Sequence, residues 1–313
     1  MNYIGVDLGG TNIVVGLVDE EGKIIKSISR PTEKERGVEP IFDDIFSMCN
    51  ELIDELNLDK TSLKGIGIGI PGTVDDKNGI IVYAPNIKMD NFNVREYAKG
   101  KIDYEIRLAN DADSAGLGEV VAGSAKGCSD AIVVTLGTGV GGGIIINGKI
   151  FPGFYPGGAE VGHQIIEVNG RQCGCGKKGC FEAYSSASAL ILAAKKKAEE
   201  NKDSLLYKLV EGDLEKMNAK VPFDADQAGD KAGHEVIEEY LDYLSIGISN
   251  LITIFNPEAI LLGGGVCKQG ENLTVPLKER IEKLAFGGEL KTQIKIASLG
   301  NDAGLIGAAM LTK

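Results

Sequence analysis

Apolar and polar positions follow one pattern twice along this chain. Residues 3–8 (YIGVDL) alternate as a strand does, residues 9–12 (GGTN) make a polar turn, residues 13–18 form a second strand, and residues 20–23 (EEGK) turn into a third. The plan returns at 131–150, with a strand over 131–136, a turn at 137–139 (GTG), a strand over 142–146 and then Asn147-Gly148, a pair that favours a two-residue hairpin. Two copies that start about 130 residues apart predict two similar subdomains, each opening with a meander.

The remaining segments mix both periods. Ile41, Ile45, Met48, Leu52 and Leu56 are spaced as one face of a helix over 40–56. Residues 63–70 (LKGIGIGI) read as a buried strand ending at Pro71-Gly72, and 104–108 as another strand. Helices are predicted over 111–122, 181–200 and 236–255, then a strand over 259–262, three glycines at 263–265 and a closing helix over 302–311. With strands leading and helices following in each half, the fold class is α/β with mixed sheets.

Composition narrows the chemistry. The 313 residues carry 33 Lys+Arg against 45 Asp+Glu, a net charge of -12, and their number suits two domains. That acidity argues against a nucleic-acid polymer or an anionic membrane as the main partner, since a phosphate backbone needs a basic footprint. No apolar run reaches the ~18 residues of a membrane span, and the start MNYIGVDLGG lacks a signal peptide's basic and apolar regions, so a cytoplasmic protein is expected. Glycine, at 43 residues, is about twice the usual ~7%, whereas Pro numbers only 9. Such an excess points to tight turns and to backbone lying close to ligands.

Two phosphate motifs nearly match. Gly137, Gly139 and Gly142 fit G-x-G-x-x-G, but a strand follows where a dinucleotide fold needs a helix. Residues 143–150 approach a Walker loop but end in Ile150 where Ser or Thr is needed, inside a hairpin. What remains is Gly9-Gly10-Thr11 and Gly137-Thr138-Gly139. Either alone could be an ordinary hairpin turn, but two in equivalent places could hold one polyphosphate through their N–H groups and hydroxyls. Asp7, in an otherwise buried strand beside the first turn, needs a compensating cation, and Mg²⁺ suits a phosphate site.

The sharpest signal is His163 with Cys173, Cys175 and Cys180, an H-x9-C-x-C-x4-C spacing that is either a reduced, metal-free cysteine loop or, as the spacing favours, a closed tetrahedral shell for structural Zn²⁺. The chain's other histidine, His234, has no such neighbours. Glu160 and Glu182 flank the knuckle. They are either solvated surface or, together with a His163 fixed by zinc, a rigid polar set for a polyhydroxylated ligand. Asn110 and Asp111 open a predicted helix, where an Asn or Asp is either a plain N-cap or places a base in a cleft between the domains.

Together these residues resemble the sugar kinases of the ROK family (repressors, open reading frames, kinases) over nearly the whole chain. The resemblance rests on DLGGTN at 7–12, GIPGTVD at 69–75, APN at 84–86, NDADSAGLGE at 110–119, LGTGVGGG at 136–143, and GGAEVGHQ (157–164) to CGCGKKGCFE (173–182). It implies a two-lobed, actin-like (ribonuclease H-like) ATPase fold with mixed sheets and a central cleft, often dimeric. One lobe would comprise residues 1–115 and 301–313, and the other residues 116–300.

It further implies ATP-dependent phosphorylation of a hexose, glucose first, at the 6-hydroxyl. Another hexose (N-acetylmannosamine, mannose, allose or fructose) or a non-catalytic sugar sensor is the alternative. Asp111 would be the base, while Gly72, Asn86, Asn110, Glu160, His163 and Glu182 would hold the sugar. ATP would take Gly9, Gly10, Thr11, Asn12, Gly137, Thr138, Gly139, Gly264 and Gly265, with Mg²⁺ at Asp7. Asp113 stands where the family commonly has Asn, and its charge is expected either to raise the pKa of Asp111 or to alter the fit of the sugar. The DNA-binding domain of the family's repressors is not expected.

Overall fold

In the computed structural model, which describes residues 1–59, 61–155 and 157–313, the predicted opening meander is β1 (Asn2–Leu8), β2 (Asn12–Asp19) and β3 (Ile24–Pro31), paired antiparallel in sequence order. Helix α1 (Val38–Glu55) follows and buries Ile41, Phe42, Ile45, Met48, Cys49 and Leu52, the face its spacing marks out. β4 (Leu63–Ile70) lies parallel to β1. Next come β5 (Thr73–Asp75), β6 (Ile80–Ala84) and β7 (Met89–Asn93), a small antiparallel sheet too short and polar to stand out in the sequence, and α2 (Val94–Ala98). β8 (Glu105–Asn110) pairs parallel with β4 and leads into α3 (Asp111–Ala122). The sheet order β3-β2-β1-β4-β8 is mixed, as expected.

The second copy is β9 (Ala131–Leu136), β10 (Val140–Ile146) and β11 (Lys149–Ile150). Asn147 (φ 52°) and Gly148 (φ 69°) both take the left-handed backbone of a two-residue hairpin turn. The chain then forms α4 (Glu182–Ser185), α5 (Ala187–Glu200), α6 (Leu205–Lys208), α7 (Val221–Gln227), α8 (Lys231–Phe255), β12 (Ala259–Gly263), α9 (Glu271–Leu284), β13 (Gln293–Ile296) and α10 (Asp302–Met310). The order β11-β10-β9-β12-β13 repeats that of the first sheet strand for strand. The single helix expected over 181–200 is two: Ser186 leaves the helical region (ψ 159°) and its Oγ accepts the Ala189 N–H at 3.1 Å, capping α5.

The described residues group into two compact units. Met1–Val133, Gly143–Ala159 and Ala297–Lys313 form the first, and Val134–Gly142 with Glu160–Ile296 the second. The lobes that the resemblance implies are 1–115 with 301–313, and 116–300; by compactness residues 116–133, 143–159 and 297–300 also go with the first unit. In that unit α10 packs on α3, β1 and β4 with almost no side chain between. A Cβ on Gly67 would stand 1.7 Å from the Ala308 carbonyl oxygen, and one on Gly307 1.6 Å from that of Ser114, so only glycine permits the approach.

Candidate active site

In the first unit β1 delivers Asp7 between Val14 of β2 and Gly69 of β4, at the mouth of the turn 9–12. Gly9 N–H closes the turn on the Asn12 carbonyl at 2.9 Å, leaving Gly10, Thr11 and Asn12 exposed. Thr32, a buried residue the sequence did not single out, pins the turn. Its hydroxyl donates to the Gly9 carbonyl at 2.6 Å and its N–H to that of Thr11 at 2.8 Å.

The start of α3 is built by Asn110. Its Oδ1 accepts the N–H groups of Ala112 (2.8 Å) and Asp113 (3.4 Å), so it is an N-cap, while its Nδ2 donates to the Gly72 carbonyl at 3.0 Å. A Cβ on Gly72 would lie 2.3 Å from the Tyr83 carbonyl oxygen, and one on Gly10 would lie 4.0 Å from that of Asn86. Gly72 is thus brought to Asn110, and Asn86, exposed in its turn, to the glycine turn.

Asp111 is the first residue of α3, and its Oδ1 accepts the Ala112 N–H at 2.9 Å. Its side chain reaches solvent, yet burial by the surrounding protein raises its carboxyl above the usual range against the opposing pull of that N–H. Burial is the largest cause and the charge of Asp113 is not among the causes, which corrects the first of the two expectations for that residue. Asp7 is pushed up to about 6, by burial first and then by the charge of Asp111. A buried carboxylate whose charge is further disfavoured by a second one nearby fits a divalent cation such as Mg²⁺.

Asp76, also missed, holds β8 in place ahead of Asn110. It accepts the Leu108 N–H at 2.8 Å and pairs with Arg95 (3.0 Å) and Arg107 (2.7 Å). Its position directly after GTVD was the signal available.

In the second unit the turn 137–139 is closed by Gly137 N–H on the Gly139 carbonyl at 3.0 Å and anchored by Ala187 N–H on the Gly137 carbonyl at 2.8 Å, with Thr138 exposed. Glu182 joins this turn to the cysteines: its Oε2 accepts the Val140 N–H at 3.0 Å and its Oε1 lies 3.5 Å from Cys173 Sγ. Glu160 is exposed and heads the short turn Val161–His163. Gly264 (φ 93°) lies against the end of β9, and Gly265, itself exposed, begins the short turn Gly265–Gln269.

His163, Cys173, Cys175 and Cys180 come together, their ligand atoms all within 4.8 Å of one another. Cys173 Sγ is 3.7 Å from His163 Nδ1 and Cys175 Sγ is 3.6 Å from Cys180 Sγ, close to the edges of a tetrahedron with bonds of ~2.0–2.3 Å. Cys173 N–H to the Lys177 carbonyl (2.8 Å) and Gly176 N–H to that of Cys173 (3.1 Å) close the knuckle. Burial pushes the Cys173 thiol up to about 12, so a thiolate there needs a cation. The donor set therefore fits a metal ion. His234 stays apart, in the first turn of α8, with its Nδ1 2.9 Å from Asp226 Oδ1.

A doubled five-strand plan, glycine turns at equivalent strand ends and a carboxylate opening a helix define an α/β protein of the actin-like ATPase fold. The chain belongs to the ROK family, matched over residues 3–313. It is 38% identical over 315 residues to a glucokinase of Thermotoga maritima, covering 100% of this chain and 98% of that protein. Among solved structures it is similar to a ROK family glucokinase from Streptomyces griseus in complex with glucose and AMPPNP (TM-score 0.76, 34% identity, 99% of each chain). The ROK hexokinase from Thermus thermophilus matches at TM-score 0.83 and 30% identity, covering 100% of this chain and 97% of that one. Among the described residues no helix is long and apolar enough to cross a membrane.

Proposed function

We infer that this chain is an ATP-dependent hexose kinase that converts glucose to glucose 6-phosphate. The carrying observation is Asp111, fixed at the start of α3 with a raised carboxyl beside Asp7, in a chain akin over its whole length to glucokinases. Phosphoryl transfer passes through a loose transition state, so alignment and charge neutralisation do most of the work. Asp111 orients the 6-hydroxyl and takes its proton late. Asn110, held by Gly72, fixes Asp111 at the helix start and, with Asn86, Glu160, His163 and Glu182, meets the other hydroxyls.

Because His163 Nδ1 faces the cysteines, its Nε2 is left to donate to the sugar. The turns at 9–12 and 137–139 offer N–H groups and Thr hydroxyls to ATP, and Gly264 and Gly265 lie toward its adenosine. Asp7 would hold Mg²⁺, which draws negative charge from the phosphates when bound. Zinc is the metal assigned to the knuckle, and a cytoplasmic homodimer the form in which the enzyme works.

A coupled ADP-release assay over glucose, mannose, fructose, allose and N-acetylmannosamine tests the kinase and its substrate; no turnover of any would overturn it. Asp111→Asn should lower kcat by about 10²–10⁴-fold while sugar binding stays measurable by calorimetry. Elemental analysis of protein purified without chelator should find close to one zinc per chain, and less than about half would reject the four-ligand shell.

A further inference from the structure

His163 and Glu182 stand on either side of the cysteine knuckle, and the chain that carries them meets α8 at one residue, Gly247. From the His163 side, Gln164 Nε2 donates to the Gly247 carbonyl at 3.2 Å. From the Glu182 side, the fully buried Phe181 ring fills the space a side chain at Gly247 would need, since a Cβ there would stand 2.3 Å from two ring carbons. The two sides are also joined to each other, because the Phe181 N–H donates to the Gln164 carbonyl at 2.9 Å.

The Gln164 amide has one way to sit. A backbone carbonyl can only accept, so the NH₂ end must face Gly247, which leaves Oε1 to take the Asn250 Nδ2 donor at 3.2 Å. Gly247 and Asn250 are three residues apart on α8 and so share a face, and one rigid element holds both ends of the amide. The turn before Gln164 is closely held as well. A Cβ on Gly162 would lie 2.0 Å from the Val140 carbonyl oxygen, and the His163 backbone N–H is bonded to the Glu160 carbonyl at 3.0 Å. Val140 is also the residue whose N–H Glu182 accepts at 3.0 Å.

None of these contacts passes through a cysteine. A metal at His163 Nδ1 leaves the ring free to turn about that bond, which swings Nε2 sideways, so the chain on either side of the ring has to remove this freedom. We propose that Gln164 is a positioning residue for hexose binding. Clamped at both ends by α8, its amide sets the direction of His163 Nε2 and, with Phe181, the place of Glu182, and it does so independently of the metal. The proposal rests on the kinase function above, in which both side chains meet sugar hydroxyls.

Gln164→Met keeps the length of the side chain and removes both hydrogen bonds. Its KM for glucose should rise roughly tenfold, with kcat within about threefold and the metal content of the native chain. Asn250→Ala, which leaves the Gly247 bond in place, should raise the KM less, and it carries the same test should Gln164→Met not fold. The double variant should be no worse than Gln164→Met alone, because both changes act through one amide. The chain has two histidines, so ¹⁵N-histidine labelling gives two sets of imidazole signals, with His234 as the internal reference. In Gln164→Met the His163 signals should be displaced before any sugar is added, and glucose should shift them less than in the native chain. His163 signals that superpose on the native ones, or an unchanged KM, would overturn the positioning role and leave the kinase standing. So would a KM that rises only as the metal is lost, which would make Gln164 a support of the knuckle and nothing more. Because the signals are read in sugar-free protein, they decide for or against Gln164 even if no hexose is turned over.

Discussion

Asp7 shows how a side chain useful to a reaction can weaken the chain that holds it. Its carboxyl titrates at about 6 instead of 3.8, so the folded chain binds this proton more tightly than the unfolded chain does. Stability therefore falls as pH rises from the lower value to the higher, and above about 6 the whole penalty remains, on the order of 3 kcal/mol. Asp7→Asn, which removes the charge, should raise the thermal midpoint by several degrees near neutral pH without Mg²⁺. The gain should vanish as pH approaches the ordinary aspartate value, and added Mg²⁺ should stabilise the native chain but not the variant. The same variant should lose turnover. Differential scanning calorimetry across pH, beside the coupled assay, checks both, and a midpoint below the native one at neutral pH would contradict the account.

At the scale of elements, what could be read from the sequence followed local periodicity. β1 to β3, their second copy and α1 each declare themselves by spacing, and the β10–β11 turn by its Asn-Gly pair. The break at Ser186 was hidden because the apolar pattern runs on through it while one hydroxyl caps the next helix. The packing of α10 on α3 was hidden as well, for a run such as DAGLIGAAM does not say which glycine meets a neighbouring carbonyl. Gly307→Ala would put a methyl 1.6 Å from the Ser114 carbonyl oxygen, backbone that cannot give way as a side chain would. Either α10 or α3 must move. We expect more than about 4 kcal/mol lost in urea unfolding, and, since α3 begins with Asp111, a fall in kcat in the protein that still folds. A glycine tolerant of Ala at this position would mean that the contact between the helices is looser than drawn.

The candidate site as a whole was legible where chemistry imposes spacing, and illegible where a polar residue finds its partner far along the chain. The Cys and His cluster belongs to the first kind. Glu119 belongs to the second: buried on α3, it accepts the Leu299 N–H at 2.7 Å and the Ser124 N–H at 2.8 Å, the first from 180 residues away. Thr32 and Asp76 were missed for the same reason. Charge is different, because it belongs to the whole chain. The net charge of -12 should repel MgATP at long range, yet neither 7–12 nor 136–143 contains Lys or Arg. Phosphates in these turns would meet N–H groups, Thr hydroxyls and the cation, whose strength at contact depends little on bulk salt. Salt would then act chiefly on the long-range repulsion, as the screening length shrinks from ~30 Å at ~0.01 M to ~8 Å at ~0.15 M. The KM for MgATP should hold level or fall over that range at constant free Mg²⁺, whereas a site that clamps phosphate with basic side chains would show it climb. A KM that rises severalfold with salt would place a Lys or Arg on the phosphates and overturn the assignment of both turns.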